Sequence, residues 1–143
     1  MSDHGGQPQF QGWITFDVTD LTVSETGLEP QTIVQANQDF TLTATFDGSG
    51  PIWDWLEGLG AKYRVRFFAE RIGYGSIDIP AKPTDEGPLG GGPYVVKHTV
   101  DANMLEEGLY RVGATVTFPQ TAQSPSIPWA AGFFEGLVIE VIP

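Results

Sequence analysis

Between residues 40 and 46 the chain alternates strictly. Phe40, Leu42, Ala44 and Phe46 are apolar, and Thr41, Thr43 and Thr45 separate them. A period of two puts all four apolar side chains on one face of an extended strand, and no helix has that period. Threonine suits the other face, because its branched Cβ fits a solvated pleat. The same pattern recurs along the chain. Tyr63, Val65, Phe67 and Ala69 alternate with Lys62, Arg64, Arg66 and Phe68. Tyr94, Val96, His98 and Val100 alternate with Val95, Lys97 and Thr99, and Tyr110 to Phe118 repeats it on even numbers. Shorter pieces lie at Ile33-Val34 and at Ile77 and Ile79, the latter stopped by Pro80. Ile14, Phe16 and Val18 slip by one residue to Leu21 and Val23, which predicts a β-bulge or a change of sheet near Asp20. A last strand is expected from 133 to 142, with a bulge at Glu135-Gly136. Seven or eight short, turn-bounded strands predict an all-β fold, a two-sheet antiparallel β-sandwich.

The remaining segments supply connections. Residues 1–11 are polar and Gly/Gln-rich and read as a flexible N-terminal arm before one domain over 12–143. Residues 53–59 are expected to form a single helical turn before Gly60. Residues 101–105 read as a capped turn with Asp101 at the N-cap. Neither is long enough to bury a helical stripe. Gly and Pro make up 18 and 11 of the 143 residues; six of them fall in loop 81–92, and three prolines fall in loop 119–130. The stretch 83–92 is expected to be the most mobile part of the folded domain.

Composition removes several functions. There is no cysteine, so disulfides, thiol catalysis and Cys-ligated zinc are excluded. Seven basic against 18 acidic residues give a net charge of −11, which argues against nucleic acid and against an anionic membrane surface. No stretch approaches the roughly 18–20 apolar residues of a membrane span. The first residues lack the basic and apolar regions of a secretory signal, and a cytoplasmic location is the expectation. Two separated histidines, His4 and His98, cannot make a histidine metal site, and no Gly-x-Ser-x-Gly elbow is present. His98 reads as a partly buried or edge histidine with one hydrogen-bond partner. The acidic pairs Asp17/Asp20, Asp85/Glu86 and Glu106/Glu107 lack EF-hand spacing and read as solubilising groups, not calcium ligands. Gly90-Gly91-Gly92 lacks a following lysine and reads as a turn. No catalytic residue, cofactor or metal is expected.

At 105–112, Leu-Glu-Glu-Gly-Leu-Tyr-Arg-Val, a glycine stands two residues before a tyrosine that opens a strand. This resembles the entry to the sixth strand of immunoglobulin-like and fibronectin-III-like sandwiches, where such a tyrosine forms a "tyrosine corner". The strand 40–46 resembles their second strand. The chain departs from true immunoglobulin domains in lacking both bridging cysteines and a core tryptophan on the third strand, where Tyr63 or Phe67 would stand in. The resemblance implies a superfold and no particular function.

It also implies neighbours. The third strand would pair with the sixth and bring Arg64 and Arg66 near Arg111, with Glu140 and Asp78 as opposite charges. The loops holding Trp53 and Trp55, and Trp129, Phe133 and Phe134, would emerge at one end of the sandwich. Packed together, those rings would cap the core; exposed, they would dock a partner. The expected function is therefore a non-enzymatic binding or assembly module. Its site would be Trp53, Trp55, Trp129, Phe133 and Phe134, oriented by Arg64, Arg66 and Arg111, and its partner a protein or a second copy. The alternative is a carbohydrate-binding module stacking a sugar on Trp53, Trp55 and Trp129.

Overall fold

The alternating segments become strands, and the strands sort into two sheets. A computed structural model describes residues 15–25, 32–119 and 132–143, with side chains described at 20–25, 32–119 and 137–143. The proposed arm at 1–11 lies outside them. In chain order the elements are β1 (Thr15–Glu25), β2 (Ile33–Gln35), β3 (Phe40–Ser49), helix α1 (Pro51–Leu59), β4 (Lys62–Arg71) and β5 (Gly75–Asp78). A 3-10 turn (Pro83–Asp85), β6 (Glu86–Pro88), β7 (Tyr94–Val100), β8 (Gly108–Thr117) and β9 (Gly132–Ile142) follow.

One sheet has the order β1-β3-β7 and the other β2-β9-β8-β4-β5, with β6 also paired to β4. The fold is thus a mostly-β, two-sheet sandwich. It differs from the expectation in two respects: nine strands occur among the described residues, and β2 runs parallel to β9. The short β2 leaves the sheet of its chain neighbour β1 and buries Val34 beside β9. Both expected bulges are present. Thr19 has no partner between the pairs Val18–Phe46 and Asp20–Thr45, and Gly136 has none between Leu137–Val112 and Glu135–Gly113.

Alternation explains the core. Leu42, Ala44 and Phe46 from β3, Val96 and Val100 from β7, Val65, Phe67 and Ala69 from β4, and Tyr110, Val112 and Val116 from β8 form one buried cluster. Each large side chain so buried contributes about 1.5–3 kcal/mol. The Tyr110 hydroxyl donates to the Glu106 carbonyl at 2.7 Å, the tyrosine-corner bond that its position after Gly108 implied.

Two connections differ from their sequence reading. Residues 51–59 make a nine-residue helix, not one turn, and bury Trp53 and Leu56. Pro51 opens α1, where its missing N–H costs nothing. Gly60 closes it in the left-handed region at φ 66°, with its N–H on the Glu57 carbonyl and the Ala61 N–H on Leu56. The spacing of Trp53 and Leu56, three apart, places both on one helix face. The stretch expected to be most mobile is a pinned strap instead. Asp85 and Leu89 in it are buried, and the Leu89 N–H donates to the Ala61 carbonyl at 2.7 Å.

Candidate functional site

The aromatic pole is built where β3, α1, β7 and β8 meet. Trp53 is 1% exposed and meets Tyr94 and Phe118 edge-on, with ring centroids 6.1 and 5.8 Å away. Phe46 stacks on Tyr94 at 5.1 Å and meets Tyr63 edge-on at 5.2 Å. The indole lies so close to β3 that a Cβ on Gly48 would stand 2.5 Å from it. The Tyr94 hydroxyl donates to Glu57 Oε2 at 2.6 Å and accepts the N–H groups of Gly90 and Gly91, both at 2.9 Å. Burial, then the Glu57 carboxylate, pushes the Tyr94 phenol above its usual pKa. Burial does the same to Tyr63.

At this pole Trp53 takes the core-capping alternative. Trp53 is a core residue whose face is already covered, so it offers nothing for a sugar to stack on. Trp55, two positions along α1, is 54% exposed. Trp129 lies outside the described residues. Phe133 and Phe134 are ladder residues of β9 opposite Thr115 and Ala114, within the last strand expected from 133.

The basic face is also rearranged. Arg64 lies opposite Thr117 and Arg111 opposite Glu70 across the β4–β8 ladder, six β4 positions apart. At about 3.3 Å per residue that is about 20 Å, so Arg64 and Arg111 do not meet. Arg64 Nε and Lys62 Nζ both reach Glu86 at 2.7 Å, and Arg111 Nη1 reaches Glu70 at 3.2 Å. Glu86 on β6 and Glu70 on β4 replace the expected Glu140 and Asp78, because pairing register and the β6 excursion decide which charges meet. Hydrogen bonds from Lys62 and then Arg64 hold the Glu86 carboxyl below its usual pKa. Arg66 is exposed and makes no ion pair among the described residues.

His98 is fully buried at 1%, more deeply than expected, although β7 is an edge strand. Its Nδ1 stands 2.8 and 3.0 Å from the two Asp85 oxygens, and Asp85 also accepts the Lys82 N–H at 2.8 Å. The strap covers this edge and seals the pair from solvent.

A different surface is apolar and open. On the outer side of the six-stranded sheet, Ile33, Leu109, Ile72 and Val138 are 42–50% exposed. The ladders place them together. Ile33 and Leu109 flank Glu140 from either side, Val138 sits opposite Arg111 one step along, and the Ile72 N–H donates to Leu109. Strands lie about 4.8 Å apart, so these side chains share one face about 15 Å wide. Tyr74, 78% exposed, stands at its margin with the Arg71 guanidinium 4.4 Å over its ring. Arg71 is held in turn by Glu106 and the Glu107 carbonyl. The sequence carries part of this signal: Leu109 and Val138 occupy outward positions, as Phe68 and Val95 do on β4 and β7, where the alternation otherwise places Thr, Lys, Arg or Gly.

No protein-family model matches the chain, and no curated protein matches it in sequence. Among solved structures it is similar to the CARDB domain of a Pyrococcus furiosus protein, solved in complex with di-metal ions. The two are 20% identical, with a TM-score of 0.38 over 87% of this chain and 90% of that one. A likeness at that level assigns no residue a role. Among the described residues no helix is long and apolar enough to cross a membrane.

Proposed function

We propose that this chain is a non-enzymatic, immunoglobulin-like module that works by docking onto another protein surface. The strand order β1-β3-β7 against β9-β8-β4, with the Tyr110 corner, supports the immunoglobulin-like reading. The observation that carries the function is the outer apolar face. Four neighbouring aliphatic side chains stay in water there while the rings at the α1 pole are packed away. Contiguous exposed apolar surface of this kind marks interaction sites. The buried His98–Asp85 pair supports the non-enzymatic reading, since a substrate has no access to it.

The test compares proteins retained from cell extract by the full chain and by a Leu109→Glu/Val138→Glu variant with an unchanged circular dichroism spectrum. The expected result is a retained set that the variant loses. Equal retention by both sinks the proposal. Loss in Trp55→Ala instead would move the docking site to the α1 pole.

A further inference from the structure

Four outward positions at the centre of the apolar face form a chequerboard. Leu109 on β8 lies opposite Glu140 on β9, and Arg111 opposite Val138. The residues between them, Tyr110 and Ile139, are buried, so all four point away from the core. Each aliphatic side chain is therefore diagonal to the other, and Arg111 is diagonal to Glu140. Glu140 makes no ion pair among the described residues, although it is exposed between Ile33 and Leu109. Among the described residues Arg111 is tied only to Glu70, in a pair whose side chains are 45% and 40% exposed.

A square of this kind is its own complement. Two copies laid face to face about a two-fold axis along the Leu109–Val138 diagonal put Leu109 on Leu109 and Val138 on Val138. The same operation exchanges Arg111 and Glu140, so each guanidinium meets the other copy's unpaired carboxylate. That is the isologous geometry of a closed dimer. We propose that the occupant of this face is a second copy of the chain, held in a two-fold dimer centred on Leu109 and Val138. The proposal rests on the docking-module reading and names its partner. Charge decides how tight the dimer is. Each copy carries −11 overall, and five of its seven cations are already held in ion pairs within the chain. Repulsion between copies is screened over about 8 Å at physiological salt, so association depends on concentration.

Sedimentation equilibrium of the full chain at physiological salt, from micromolar to millimolar, tests this. The weight-average mass is expected to climb toward twice the 15.5 kDa of one chain. Leu109→Glu, which sets two carboxylates on the axis, should weaken association by at least about tenfold. Arg111→Glu and Glu140→Arg should each weaken it similarly, and the double charge swap should restore it. Urea unfolding of every variant identifies any that fails to fold. A 15.5-kDa species at all concentrations overturns the proposal, as does a dimer indifferent to Leu109→Glu, or a double swap no tighter than the single variants. A monomer that still loses its retained proteins on Leu109→Glu/Val138→Glu keeps the docking reading and removes only the second copy.

Discussion

The α1 pole and the outer face of β8 and β9 are both rich in large apolar side chains, yet they end in opposite states. At the pole, Trp53 and Leu56 are brought down onto the open end of the sandwich by a helix, Tyr94 and Phe118 close on Trp53, and Phe46 and Tyr63 pack behind Tyr94. On the outer face nothing among the described residues covers Leu109 or Val138. One step along β8, from Leu109 to Tyr110, exposure falls from 50% to 0%. Apolar content thus does not distinguish a structural cluster from a docking surface. What distinguishes them is whether the chain carries a second element to lay over the first.

The largest expected effect tests that contrast directly. Trp53→Ala removes a ring with edge contacts on two sides and leaves a cavity, which costs about 3–5 kcal/mol. Leu109→Ala, a truncation of a half-exposed side chain, should stay within about 0.5 kcal/mol. Urea unfolding of both variants reads the difference. Equal losses would mean that the outer face is as much core as the pole is.

Next in size is the strap. Asp85→Ala leaves His98 Nδ1 buried without its partner and frees the Lys82 N–H, at about 1–3 kcal/mol. Backbone amide exchange over 82–91 should rise with it. A variant that unfolds at lower urea with no added exchange in the strap would show that the pair stabilises β7 alone.

How far these features are legible in the sequence follows from their range. Strands β3, β7 and β8 show their burial in their alternation, and both bulges appear where it slips, because side-chain direction is a local property of extended chain. The Gly108-Leu109-Tyr110 corner is local as well. Register is not. Arg111 lands on Glu70, not near Arg64, because ladder alignment is set by long-range packing. The strap's Gly and Pro content speaks for looseness, and its anchors, His98 and Ala61, lie elsewhere in the chain. The helix at 51–59 was hidden by its short length and two internal features, Gly58 and paired tryptophans, although Trp53 and Leu56 keep helical spacing. Among the proposed site residues, the tryptophans drew notice by size, whereas ordinary Leu109 and Val138 mark the exposed face.

The smallest expected effect lies at the rim between the sealed and open regions. Glu86 ties β6 to Lys62 and Arg64 on β4, and its carboxyl is held below its usual pKa by their hydrogen bonds. A group whose pKa is lower folded than unfolded adds stability above the unfolded value. That stability is lost as pH falls through the folded one. Lys62 and Arg64 are 41% and 37% exposed, so screening holds the contribution to about 0.2–1 kcal/mol. Between about pH 6 and about pH 3, Glu86→Gln should therefore lose less stability than the natural chain, read as the shift of the urea midpoint. Identical shifts would mean that β6 is held to β4 by its backbone ladder from Lys62 to Arg64, and that the ion pairs are incidental to closing this edge.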